Sequence, residues 1–143
     1  MKITFDLIGE EKVFETLDNL VDVQKLERAV SKAALLVEAE AKKKAPRGNG
    51  DLARSIASKV ETSGREVVGT VFTPLFYAPY VEYGTGLFAE DGNGRKDVPW
   101  HYKDDKGEWH STSGQKPQPF MRPALDENRE QVLRILMEGV IDD

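Results

Sequence analysis

His101 and His110 stand nine residues apart in a polar stretch that also holds Asp97, Asp104, Asp105 and Glu108. Imidazole and carboxylate donors together suit zinc or manganese, and a small metal-dependent hydrolase could be built on them. The spacing matches no helix-borne pair of the His-Glu-x-x-His kind, and solvated loops collect the same residue types. Ser111 and Ser113 lie beside the histidines, but no Gly-x-Ser-x-Gly elbow presents a nucleophile. Glu82 follows an apolar run, where burial alone would raise its pKa; capping the glycine turn after it, or pairing with an arginine, is the expected role. Gly84-Thr85-Gly86 and Gly92-Asn93-Gly94 are glycine-rich, yet neither is followed by the Lys-Ser/Thr pair of a phosphate loop. Lys42, Lys43, Lys44 and Arg47, with Arg54 nearby, are candidates for contact with DNA phosphates, as in a DNA-binding accessory protein. The alternative is a helix end dressed with cations. These patterns assign no catalytic residue, no metal site and no cofactor, and an enzyme is not expected.

The elements that must position these residues read as one α+β domain spanning 1–143. Ile3, Phe5 and Leu7 alternate as a short strand that Gly9 ends, and Val13, Phe14, Leu17 and Leu20 are spaced for a short helix. Asp22 is placed to cap a longer helix with Leu26, Val30, Ala33, Val37 and Ala41 on one face. The three lysines fall in its last turn, and Pro46 and Gly48 stop it. Leu52, Ile56 and Val60 mark a half-buried segment whose second half is a strand. Thr62-Ser63-Gly64-Arg65 then connects it to a strand rich in Val67, Val68, Val71 and Phe72. Met121, Ala124, Leu125, Val132, Ile135 and Leu136 describe one terminal amphipathic helix, with Pro123 tolerated in its first turn. The fold expected is a small antiparallel sheet packed against a long helix and a C-terminal helix, with a long loop excursion.

That excursion begins where the aromatic run Phe76-Tyr77-Ala78-Pro79-Tyr80-Val81-Glu82-Tyr83 meets Gly84-Thr85-Gly86. After Pro74 the run is a separate short strand or a helical turn. On a helical turn Tyr77, Tyr80 and Tyr83 would share a face. Residues 84–118 are expected as one long flexible loop, either ordered by Trp100 and Trp109 packing back or captured by a partner. Loops of this length in small domains carry function, and Tyr and Trp are enriched at interfaces. Tyr80, Tyr83, Phe88, Trp100, Tyr102 and Trp109 are therefore the subunit-interface candidates.

The bulk properties narrow the function classes. A net charge of −5 argues against a general nucleic-acid binder. The absence of cysteine removes disulfides, thiolate metal sites and cysteine nucleophiles. No apolar run approaches the ~20 residues needed to span a bilayer, and no signal-peptide core follows Met1. A protein made and used in the cytoplasm, or in a particle assembled there, is expected, with no membrane partner.

Four boxes stand in a recognisable order: Lys44-Ala45-Pro46; Gly50-Asp51-Leu52-Ala53-Arg54-Ser55-Ile56; Tyr77-Ala78-Pro79-Tyr80-Val81-Glu82-Tyr83-Gly84-Thr85; and Pro117-Gln118-Pro119-Phe120-Met121-Arg122-Pro123-Ala124-Leu125. In that order they resemble the head–tail joining and tail-completion proteins of long-tailed phages and prophages, related to the minor tail protein Z-like group. The one departure in the boxes is Asn49-Gly50-Asp51-Leu52, where Thr-Gly-x-Leu is usual. The resemblance implies a virion structural protein of the neck or tail whose copies form a ring, expected as a hexamer. Its implied partners are the head connector or stopper, the tail tube or terminator, and DNA passing through the lumen without sequence specificity. It also implies a structural motif of Tyr77, Tyr80, Glu82, Gly84, Thr85, Pro119, Phe120 and Pro123. An acidic chain suits a lumen along which DNA slides.

Overall fold

The computed structural model describes residues 2–5, 22–48 and 50–141. The short helix expected around Val13 to Leu20, and the strand pattern beyond Phe5, lie outside the described residues.

Asp22 opens the longest element. Its backbone is extended and its Oδ1 accepts the Gln24 N–H at 2.8 Å, satisfying one of the donors left free at a helix start. Helix α1 (Val23–Lys44) ends with the Ala45 N–H donating to the Ala41 carbonyl, just before Pro46. Its buried face is Ala29, Val30, Ala33, Ala34, Val37 and Ala41, with Leu26 half-buried beside them. Side chains this small let neighbours come close. A Cβ on Gly139 would sit 2.6 Å from the Ala29 Cβ.

Three strands follow one antiparallel plan: β1 (Lys2–Phe5), β2 (Ala57–Ser63) and β3 (Glu66–Phe72), in the order β1-β3-β2. Gly64 and Arg65 make the tight turn between β2 and β3, with Gly64 at φ +62°. Alternation along the central strand places Val67 and Val71 on the face toward α1. Their cross-strand partners Thr62 and Ser58 reach the same helix, Ser58 donating to Glu38 at 2.6 Å and Thr62 to Glu27 at 2.7 Å. Between α1 and β2 lies the short helix α2 (Asp51–Ser55), entered through Gly50 at φ +82°. Leu52 and Ile56 are buried at its two ends. Ser55 Oγ meets Thr73 Oγ1 at 2.7 Å, and Thr73 in turn accepts the Leu75 N–H, fixing the chain as it leaves the sheet.

The aromatic run becomes helix α3 (Ala78–Tyr83), with a proline in its first turn. The sequence left strand or helix open; Pro79 removes a donor that a first helical turn does not use, whereas a ladder would. The C-terminal region is two helices rather than one. Helix α4 (Met121–Asp126) stops at Glu127, and Asn128 restarts the path into α5 (Arg129–Ile141). Asn128 Nδ2 donates to the Ala124 carbonyl at 2.9 Å while its own carbonyl accepts the Val132 N–H. A short polar side chain bonding to the backbone competes with helix continuation there. Met121, Ala124, Val132 and Leu136 still share the core with α1 and the sheet.

Residues 84–118 are not one unstructured loop. They carry a 3-10 turn at Gly86–Phe88 and a two-stranded antiparallel hairpin, β4 (Trp100–Lys103) and β5 (Trp109–Thr112). Four-residue strands of polar and aromatic residues bounded by Asp and Gly give too short an alternation to read as strands.

Candidate functional site: the clamped excursion

Glu82 is the buried carboxylate that holds the excursion. It faces inward from α3 and is fully buried. Its Oε2 accepts the N–H groups of Phe120 (2.8 Å) and Met121 (2.9 Å), and its Oε1 accepts the N–H (3.0 Å) and Nε (2.9 Å) of Arg122. One side chain thus caps the start of α4 from a different helix, because Phe120 has no capping side chain of its own. Burial pulls the Glu82 pKa up, but three backbone donors and the Arg122 guanidinium outweigh it and hold the carboxyl below its ordinary value. The alternative of a raised pKa, the condition for general-acid work, does not arise. Arg122 also grips Glu90 with a two-pronged pair at 2.9 and 2.7 Å, and its guanidinium lies 4.5 Å from the Tyr83 ring centroid. Those two carboxylates, Glu90 first, raise the Arg122 pKa further.

The base of the excursion is closed backbone to backbone. Thr85 and Gln115 exchange N–H···O=C bonds at 2.9 and 3.3 Å, Thr85 Oγ1 accepts the Gln115 N–H, and Leu87 donates to Ser113. Gln118 donates to the Val81 carbonyl at 2.8 Å. Glycine is required at this crossing. A Cβ on Gly86 would lie 2.3 Å from the Ser113 carbonyl oxygen, and one on Gly114 2.2 Å from that of Thr85. Both have positive φ, +59° and +125°.

Beyond the base, the hairpin presents aromatics on both faces. Register places Trp100, Tyr102, His110 and Thr112 on one side and His101, Lys103, Trp109 and Ser111 on the other. Tyr102 stacks on His110 with centroids 5.4 Å apart, and Lys103 Nζ lies 5.4 Å from the Trp109 centroid. Trp109 is 69% exposed, so it does not pack back on the domain. Trp100 is half-buried beneath Arg95, in a cleft of about 600 Å³ that it shares with Tyr80, Tyr83, Pro79 and Asp91.

Residues 11–84 match the model of the HK97-gp10-like family, described as "Bacteriophage HK97-gp10, putative tail-component". The chain belongs to this family. That places it among the structural proteins of tailed-phage particles, as the four boxes implied. No curated protein and no solved structure matches the chain at a significant level. Among the described residues no helix is long and apolar enough to cross a membrane. The matched region of this HK97-gp10-like chain ends at Gly84, so Glu82 lies inside it, while Phe120–Arg122 and the hairpin lie beyond it.

The other sequence candidates distribute unevenly. Of the motif residues, Glu82, Gly84 and Phe120 are buried, Tyr77, Thr85 and Pro123 half-buried, and Pro119 exposed. Tyr77 precedes α3 and packs on the core, while Tyr80 and Tyr83 face the cleft, so the three tyrosines do not share one environment. Five interface candidates, Tyr80, Tyr83, Phe88, Tyr102 and Trp109, are exposed. The DNA candidates are engaged in ion pairs: Lys42 with Glu38, Lys43 with Glu40 and Lys44 with Glu127, while Arg47 is exposed. His101 and His110 are not brought together, since adjacent pairs of the hairpin point to opposite faces. His110 instead meets Asp104 at 2.7 Å, with Glu108 close by. Asp104 is already the keystone of the hairpin tip, accepting the N–H groups of Lys106 and Glu108 and holding its pKa low, chiefly through His110. Asp97 pairs with Arg95 at 3.8 Å. Sequence reasoning missed Glu90, Arg95, Gln115 and Gly114. Only Arg122, inside the Phe-Met-Arg-Pro box, carried a signal that a partner for Glu82 was at hand.

Proposed function

We propose that the chain is a ring subunit of the phage neck or tail, a tail-completion protein that joins the head connector to the tail tube and performs no chemistry. The observation that carries this reading is the clamped excursion. A saturated, buried carboxylate and a glycine-lined crossing hold the base of a hairpin whose Tyr102 and Trp109 side chains stand in solvent. Exposed tryptophan and tyrosine on a rigid support are the composition of an interface hot spot. A rigid arm and a cleft on one subunit are also different surfaces, as head-to-tail contacts that close into rings require. Membership in a family of phage tail components supplies the setting, and copies of the chain, a head connector and the tail tube are the partners it would have. DNA in the lumen would be contacted without sequence specificity.

The test is to replace residues 99–112 with a short Gly-Ser linker, leaving Glu90, Gly94 and the Thr85–Gln115 crossing in place. The expected product is a folded, helical monomer that forms no rings by native mass spectrometry and gives no infectious particles in a complementation assay. Complete virions from this variant would refute the reading.

A further inference from the structure

We propose that the cleft between Tyr80, Tyr83 and Trp100 receives the Trp109 edge of the hairpin from a neighbouring copy of the same chain. This inference rests on the ring reading above and names the contact that would build the ring. The cleft is open and aromatic; Arg95 covers its Trp100 wall, and Asp91, which accepts the Asn93 N–H with one oxygen, is its exposed carboxylate. Its back wall is fixed, because the Arg122 guanidinium that bonds Glu82 and Glu90 also covers the Tyr83 ring. The hairpin offers the matching group, an exposed indole flanked by the Lys103 ammonium. Tyrosine faces attract a cation and an indole edge, and Asp91 complements the ammonium. The complement cannot be met within one chain. Trp100 sits at the base of β4, and Trp109 pairs with Lys103 at its far end, about 10 Å away at the usual strand rise. Trp109 also faces the opposite side of the hairpin from Trp100. An arm that cannot fill its own cleft, but fits an identical one, makes a heterologous contact.

The chain has no cysteine, which makes the test direct. Ser111→Cys marks the Trp109 face and Asn93→Cys marks the cleft; both residues are exposed. The double variant, treated with a short bismaleimide, is expected to give a ladder of covalent oligomers, whereas either single variant gives at most dimers. Adding Trp109→Ala is expected to abolish the ladder and weaken self-association by roughly 30-fold, as for an interface hot spot. Trp109→Phe is expected to restore part of it, with unchanged circular dichroism in all variants. Rings that form without a ladder, or that survive Trp109→Ala, overturn this contact and leave the ring reading standing, with another surface building the ring. A chain that stays monomeric at every concentration reached, with no ladder, overturns both.

Discussion

The excursion uses the same residue types at its root and at its tip, to opposite ends. At the root, Glu82, Arg122 and Glu90 saturate one another and the glycines let two backbones touch. At the tip, Lys103 and Trp109 are exposed, and Asp104 is half-buried within its own turn. Burial decides the difference. A carboxylate taken out of water is costly unless its oxygens are fully bonded, so Glu82 is a structural part whose loss is felt throughout the domain. An exposed indole contributes little to its own fold and is available to a partner.

The contrast between root and tip is sharpest at Glu82. Glu82→Gln keeps the size but turns an N–H₂ toward backbone donors, and leaves Arg122 without its inner partner; a loss of about 3 kcal/mol is expected by chemical denaturation. A change under ~1 kcal/mol would remove Glu82 as the root. Next, Gly114→Ala drives a Cβ into the Thr85 carbonyl at positive φ, and a loss of about 2 kcal/mol is expected. Amide exchange should accelerate at Thr85 and Leu87 while α1 stays protected. An intermediate effect is expected for pH. Because the folded Glu82 and Glu38 carboxyls lie below their ordinary value of 4.5, their contribution is complete above that pH and is lost as pH falls through the folded values. Unfolding midpoints should be flat from pH 7 to about 5 and fall below, with a shallower fall in Glu82→Gln. Asp22→Ala, which removes the cap of α1, should cost about 1 kcal/mol. Trp109→Ala should change stability by no more than about 0.5 kcal/mol, as an exposed position does.

Much of the frame was legible because it follows periodicity and punctuation. Asp22, the Ala and Val stripe of α1, the Gly64 turn and the terminal apolar spacing each signal a local event that the structure contains. The break at Asn128 was not, since a side chain choosing a backbone carbonyl over solvent leaves no trace in hydrophobic spacing. The hairpin was missed because its strands are short and hydrated on both faces. The site was half legible. Glu82 with an arginine partner was open to sequence reasoning, and so were the aromatic candidates. The crossing of Thr85 with Gln115, and the role of Glu90, depend on residues far apart in the chain whose types are ordinary for a loop. The placement of the two histidines was not legible for a related reason: closeness in sequence says nothing about which face of a strand each occupies.

On the ring reading, the root holds the fold and the arm assembles it. Native mass spectrometry and thermal unfolding on the same preparations of the wild-type chain and the variant with residues 99–112 replaced by a linker test it most directly. Rings are expected from the wild type, monomers from the variant, and unfolding midpoints that agree. A variant that still forms rings, or one that assembles poorly only because it unfolds at a much lower temperature, would contradict it.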